Sequence, residues 1–162
     1  MIQVYKDIFV GDDQSFEKVK DKNDWAIVRA CKEGNGGHRD VLEYKTQGAP
    51  RDKNYLFTER ERLLSLNLID THDPDFVPDE LVDKALKFIK DELAKDKKVL
   101  IACNQGQSRA PSLALLYLYS EGKLPQHYSQ AIRIFRKLYP KYDPSAGLHI
   151  FTRRKISQLK AK

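Results

Sequence analysis

Short apolar runs and amphipathic stretches alternate along the chain. IQVYKDIFVG (2–11) reads as an opening strand or hairpin, with Val4, Ile8 and Val10 facing a core. Ser15 to Lys22 predicts a short helix with Phe16 and Val19 on one face, and WAIVRAC (25–31) is an apolar run of strand type. ERLLSLNLID (61–70) predicts a third strand that ends at an aspartate. After the turn THDPDFVP, DELVDKALKFIKDELAK places apolar residues at 81, 82, 85, 86, 89 and 93, a helical spacing that starts near Pro78 or Asp79. KKVLIAC (97–103) is apolar on both faces, as a strand buried inside a parallel sheet requires. Pro111 to Glu121 then reads as a helix stopped at Gly122, HYSQAIRIFRKLYP as one stopped at Pro140, and 144–160 as a last one.

This alternation predicts a single α/β domain over 1–162, with a mostly parallel central sheet of about four to five strands flanked by helices. One segment breaks the rhythm. KEGNGGHRDVLEYKTQGAPRDKNY is long, polar and rich in Gly, Lys and Arg, so residues at about 35–60 read as a variable loop insertion, functional or mobile, with one short helix at Asp40 to Tyr44.

Composition narrows the functional classes. At 162 residues, 41% hydrophobic and 10% aromatic, the chain suits a folded domain rather than a disordered one. No stretch has the length of a membrane span, and MIQVYKDIFVGDD lacks the apolar region of a signal peptide; a cytoplasmic protein with no membrane partner is expected. Cys31 and Cys103 are too few for a disulfide framework or a structural zinc site, and the four histidines form no metal-binding spacing, so neither metal nor organic cofactor is expected. A formal charge of +6 favours anionic ligands. The basic residues are spread rather than blocked, which argues against nucleic acid, and RRKISQLKAK reads as the solvated face of a terminal helix.

The chemistry concentrates in KVLIACNQGQSRAPSLALLYL (98–118), where a strand pattern meets a helix pattern. A tight loop at such a join presents consecutive backbone N–H groups to one point. Gly106 supplies the freedom to turn them inward, and Arg109 can hold two phosphate oxygens through its forked guanidinium. That positive field favours the thiolate of Cys103, which can attack phosphorus and form a thiophosphate. The leaving oxygen then needs a proton. Asp70, at the end of its own strand, stands in the right kind of place; Asp73 is the next choice, with Asp75 on the same turn. A cysteine and an arginine separated by five residues recur by chance, and the strand, glycine and helix give the spacing its meaning.

CNQGQSRAPS resembles the nucleophile loop of the cysteine-based protein tyrosine phosphatase superfamily, in its dual-specificity branch. LNLIDTHDPDFVPDELVDKALKFI is similar to that family's acid loop and following helix, and the opening segment, WAIVRACKEG and the final helices fall in family order. Only residues 35–60 have no clear counterpart. The resemblance implies a dual-specificity phosphatase fold and hydrolysis of phosphomonoesters through a cysteinyl-phosphate intermediate. It implies Cys103 as nucleophile, Asp70 as general acid, and Arg109 as the residue that binds phosphate and stabilises the transition state. It further implies a phosphate-binding loop of Asn104, Gln105, Gly106, Gln107, Ser108 and Arg109, no cofactor, a monomer, and phosphorylated protein substrates carrying phosphotyrosine, with phosphoserine or phosphothreonine besides. The neutral Asn104, Gln105 and Gln107 are expected to bear on the substrate, where phosphoinositide-specific relatives often place lysines. Two positions depart from the family. Ala102 stands where a histidine usually orients the loop, and Ala110 where a hydroxyl usually helps the thiolate depart; both predict a slower enzyme.

Other readings stay open beside this one. They are a pseudophosphatase that binds phosphorylated ligands, an RNA 5′-phosphatase of the same superfamily, and a rhodanese-like sulfur transferase, which would need no acid on a separate loop. Outside its context Cys103 would be a buried structural thiol, and Asp70 a turn or cap residue. Ser108 has no paired base and reads as a hydrogen-bonder that holds the loop. Cys31 is either a core residue or the partner of a protective disulfide with Cys103 under oxidation. His38 and His72 read as surface histidines.

Overall fold

The computed structural model describes residues 1–160. β1 (Ile2–Tyr5) and β2 (Ile8–Gly11) form a hairpin turned at Lys6, which takes φ +42°. α1 (Asp13–Val19) follows, and Asp12 caps it: its carboxylate accepts from Ser15 N while the Ser15 hydroxyl accepts from Asp12 N. The order continues through β3 (Trp25–Arg29), α2 (His38–Leu42), β4 (Phe57–Arg60), β5 (Leu63–Leu66), α3 (Asp79–Ala94), β6 (Lys98–Ala102), α4 (Arg109–Ser120), α5 (Tyr128–Leu138) and α6 (Ala146–Lys160).

The sheet order is β1-β2-β6-β3-β5-β4. β2, β6, β3 and β5 run parallel, while β1 and β4 pair antiparallel at the two edges. Buried apolar runs such as VLIA and WAIV suit strands covered on both faces. On one face Phe16 and Val19 of α1 close over Trp25, Ile27, Leu100 and Ala102. On the other, α3 and α4 cover Val28, Leu64 and Ile101 and α6 packs behind α4, with Leu81, Ile89, Leu113 and Phe151 in the same cluster as Val4, Ile8 and Val10. Among the described residues no helix is long and apolar enough to cross a membrane.

The opening segment is a hairpin, one of the two forms expected there, and a strand beyond the expected four to five, β4, lies inside the segment read as an insertion. FTER is short, and both Glu59 and Arg60 are exposed, so an edge strand left no apolar run to see. The strand expected over 61–70 has its ladder at Leu63–Leu66 only, although Leu68 remains wholly buried.

The segment before β4 is tied down. Its helix lies at His38–Leu42 rather than Asp40 to Tyr44, because Glu43 takes a left-handed conformation (φ 59°) and ends it. His38 is not a surface histidine: it is fully buried, with Nδ1 3.0 Å from the Tyr44 hydroxyl and Nε2 2.7 Å from the Asn54 carbonyl. Arg39 Nε donates to both Glu33 carboxylate oxygens, at 2.8 and 3.0 Å, and Nη2 to the Gln47 carbonyl at 2.9 Å. Ser65 and Asn67 donate from β5 and its exit to the carbonyls of Gly36 and Tyr55. Backbone that no ladder satisfies is here satisfied by side chains.

Candidate active site

The parallel strands deliver their carboxyl ends to one edge of the sheet, where clefts form in open α/β folds. Cys103 leaves β6 there, Cys31 follows β3, and Asp70 follows β5. Asp70, Cys103, Asn104, Gln105, Gln107, Ser108, Arg109 and Asp143 line a cleft of about 290 Å³. Cys103 is buried at its floor, 2% exposed.

Four carbonyls of the 103–108 backbone are held by donors from other parts of the fold. The Cys103 carbonyl accepts from Arg29 Nη1 at 3.0 Å, that of Asn104 from Asp13 N at 3.2 Å, and that of Gly106 from the Tyr139 hydroxyl at 2.6 Å. The Gln107 carbonyl accepts from Asp143 N at 2.7 Å. Among the described residues, no backbone N–H from Asn104 to Ser108 has a protein partner. Such N–H groups at the start of a twelve-residue helix are the donors an anion cradle requires, and the α4 dipole has the sign to match. Gly106 makes the turn with φ +72°; a Cβ there would stand 3.0 Å from both the Gly11 carbonyl oxygen and the Tyr139 hydroxyl. Burial, with the charge of Cys103 adding to it, pushes the Tyr139 phenol up to about 12, so it stays a donor.

Arg109 opens α4, where a cation is disfavoured unless an anion meets it. Nη1 donates to the Leu68 carbonyl at 3.1 Å and Nη2 to Asn104 Oδ1 at 2.8 Å, while Nε is buried with no partner. An oxyanion in the cleft would satisfy that orphan donor. Asn104 is held in turn: Nδ2 donates to Asp13 Oδ1 at 3.2 Å and to the Glu33 carbonyl at 3.0 Å. Asn104 therefore braces Arg109, and Gln105 and Gln107 are the exposed loop side chains left to meet a substrate.

The three aspartates of the turn separate. Asp70 lines the cleft and accepts from the Ser108 hydroxyl at 2.7 Å. Asp73 caps a short 3-10 turn at Pro74–Phe76 by accepting from Asp75 N, and neither Asp73, Asp75 nor His72 lines the cleft. Ser108 joins loops rather than bracing only its own: its hydroxyl also accepts from Ser145 N at 2.9 Å, just before α6. Asp143, on the same connection, is a cleft carboxylate that the sequence reading missed; a turn aspartate beside a proline carries no local sign of its neighbours.

Cys31 is wholly buried and free, as is Cys103. Burial pushes its thiol up to about 11 against the opposing pull of Arg29 and Arg109. Both cysteines stand at the same edge of the sheet, Cys31 just past β3 and Cys103 just past β6, strands that pair Arg29 with Ala102.

No family model matches the sequence, and no curated protein matches it. Solved structures do. An Entamoeba histolytica protein with leucine rich repeat and phosphatase domains aligns over 99% of this chain and 92% of its own, at 18% identity and a TM-score of 0.67. Human DUSP28 aligns over 98% and 94%, at 14% identity and a TM-score of 0.64. The chain has the dual-specificity phosphatase fold. The PTP-2 phosphatase of Cydia pomonella, at 17% identity and a TM-score of 0.67, covers 94% of this chain and 88% of its own. Within the dual-specificity phosphatase fold, the segment at 35–60 that had no counterpart in sequence lies inside the aligned span of the Entamoeba protein, which leaves only 1% of this chain unaligned.

Proposed function

We propose that the protein is a cysteine-dependent phosphomonoester hydrolase of the protein tyrosine and dual-specificity phosphatase type. The observation that carries this is the loop after β6, where the N–H groups of Asn104 to Ser108 are left free while the carbonyls of Cys103, Asn104, Gly106 and Gln107 are tied back. Such a cradle receives the three equatorial oxygens of a phosphoryl group, and the guanidinium of Arg109 takes the charge that spreads over them. Cys103 Sγ then forms a bond to phosphorus as the ester oxygen leaves, and Asp70 gives that oxygen its proton. Water attacks the cysteinyl phosphate in the second step, with Asp70 taking a proton back and the thiolate departing. Ala110 offers no hydroxyl to that departure, so the second step is the slow one. Phosphotyrosine in proteins is the proposed substrate, with phosphoserine and phosphothreonine besides. The protein works without a metal or organic cofactor, as a cytoplasmic monomer.

Hydrolysis of aryl phosphates by the parent, Cys103→Ser and Asp70→Asn tests this. Cys103→Ser abolishes turnover. Asp70→Asn lowers kcat about 10²-fold or more on phenyl phosphate and less on nitrophenyl phosphate, whose leaving group needs little help from an acid. A parent that binds vanadate tightly and turns over neither ester is instead a phosphate-recognising pseudophosphatase, which Ala102 and Ala110 favour. Release of phosphate from a 5′-triphosphorylated RNA but from neither ester would assign the RNA 5′-phosphatase reading.

A further inference from the structure

Arg29 is a charged side chain with no solvent exposure at all. Its register partner across β3 and β6 is Ala102, and parallel neighbours in register share a face of the sheet. The guanidinium lies over the Phe16 ring, 4.8 Å from its centroid. From there Nη1 donates to the Cys103 carbonyl at 3.0 Å, Nε donates to the Asn35 carbonyl at 2.9 Å, and Nη2 pairs with Asp13. Asp13 Oδ1 also accepts from Asn104 Nδ2 at 3.2 Å, and Asn104 Oδ1 accepts from Arg109 Nη2 at 2.8 Å. The Asn104 amide is fixed in this sense, because only its oxygen can face the donors of Arg109 and only its NH₂ the carboxylate. One hydrogen-bonded chain thus runs from the nucleophile's own carbonyl to the arginine in the cleft.

The geometry points to Arg29 as a positioning residue for the phosphoryl-transfer loop. It holds the Cys103 carbonyl outward, keeps a permanent positive charge behind the nucleophile, and sets the plane of Arg109 through Asp13 and Asn104. This rests on the hydrolase reading of the loop and deepens it. Packing alone would be met by a methionine or leucine, without burying a guanidinium. Position 102 is alanine, so no side chain there can brace the loop, and Arg29 takes the adjacent place. Of the loop carbonyls tied back, those of Asn104, Gly106 and Gln107 are held by neutral donors; that of Cys103 is held by a cation.

The test uses the full chain in a Cys31→Ser background, so that Cys103 is its one thiol. Iodoacetamide alkylation against pH and vanadate affinity are measured for this parent, Arg29→Lys and Arg29→Met, with thermal unfolding alongside. Arg29→Met is expected to move the alkylation profile to higher pH, slowing the reaction at pH 6 about tenfold, and to weaken vanadate about tenfold. Arg29→Lys keeps the charge but cannot span three partners, so it restores most of the alkylation profile and little of the vanadate affinity. A merely structural arginine would lower the melting temperature and move neither readout. A folded Arg29→Met with the parental profile and vanadate affinity overturns the inference. Should that variant fail to fold, Asn104→Ala leaves Arg29 paired with Asp13 and cuts the chain to Arg109. It is expected to weaken vanadate about tenfold while sparing the alkylation profile; unchanged vanadate affinity overturns the inference. Neither readout needs turnover. Shifts in a chain that hydrolyses no phosphomonoester would sink the hydrolase reading alone, and an active hydrolase with an unmoved Arg29→Met would sink this one alone.

Discussion

Gly106 and Tyr139 show how narrowly the cradle is fitted. The glycine holds φ +72° with the Gly11 carbonyl and the Tyr139 hydroxyl both where a Cβ would press at 3.0 Å. Gly106→Ala therefore costs about 1–3 kcal/mol through strain and crowding; it should lower the melting temperature and weaken vanadate binding by isothermal titration. Tyr139→Phe removes a single hydrogen bond to the Gly106 carbonyl, costs about 1 kcal/mol, and should fall between the parent and Gly106→Ala in the same titration. The two cysteines share one edge of the sheet and are both free. With its thiol pushed up to about 11, Cys31 stays protonated at neutral pH and attacks an oxidised Cys103 slowly. Peroxide followed by mass spectrometry should give little 31–103 linkage at pH 7. Between pH 7 and 9 the linkage should form about tenfold faster per pH unit as the Cys31 thiolate grows. Linkage as fast at pH 7 as at pH 9 would contradict that account.

At the scale of elements, the region around α2 behaves as a clasp closed by one titratable group. Burial holds His38 below the ordinary histidine range, although its bond to the Asn54 carbonyl pulls the other way. The folded chain then binds fewer protons at His38 than the unfolded chain does. The clasp's stability is present above the unfolded pKa and is lost as pH falls toward the folded value. Protection from hydrogen exchange over residues 36–56, corrected for the intrinsic pH dependence of amide exchange, should fall between pH 7 and pH 5 while that of β6 does not; His38→Gln should flatten that dependence. Nothing local in KEGNGGHRDVLEYKTQGAPRDKNY announces this order. Its hydrogen bonds join residues such as His38 and Asn54, or Arg39 and Gln47, whose pairing exists only once the chain has folded back. By contrast α3, α4 and β6 were legible because each carries its partner's requirement in its own apolar spacing.

For the whole molecule, the formal charge of +6 is a statement about encounter rather than chemistry. If an anionic substrate is steered to the cleft, kcat/KM should fall severalfold between 20 and 200 mM salt with kcat nearly constant; a salt-independent kcat/KM would remove steering from the account. The α/β architecture and the loop with Cys103, Gly106 and Arg109 could be read from the sequence, because a strand, a turn and a helix lie consecutively along it. Arg29 and Asp143 could not, since each depends on which distant strand ends and loops meet at one edge.

The position of β6 has a consequence for how the molecule is made. It lies in the middle of the sheet, between β2 and β3, yet it is the last strand in chain order, pairing Val99 with Ile8 and Lys98 with Trp25. A nascent chain that has delivered the first five strands holds two separate pieces with an empty slot between them. Contacts so distant in sequence form slowly, and the open strand flanks are exposed until they do. The segment that carries Cys103 is thus also the keystone: biogenesis offers no stage at which a completed sheet waits for that loop.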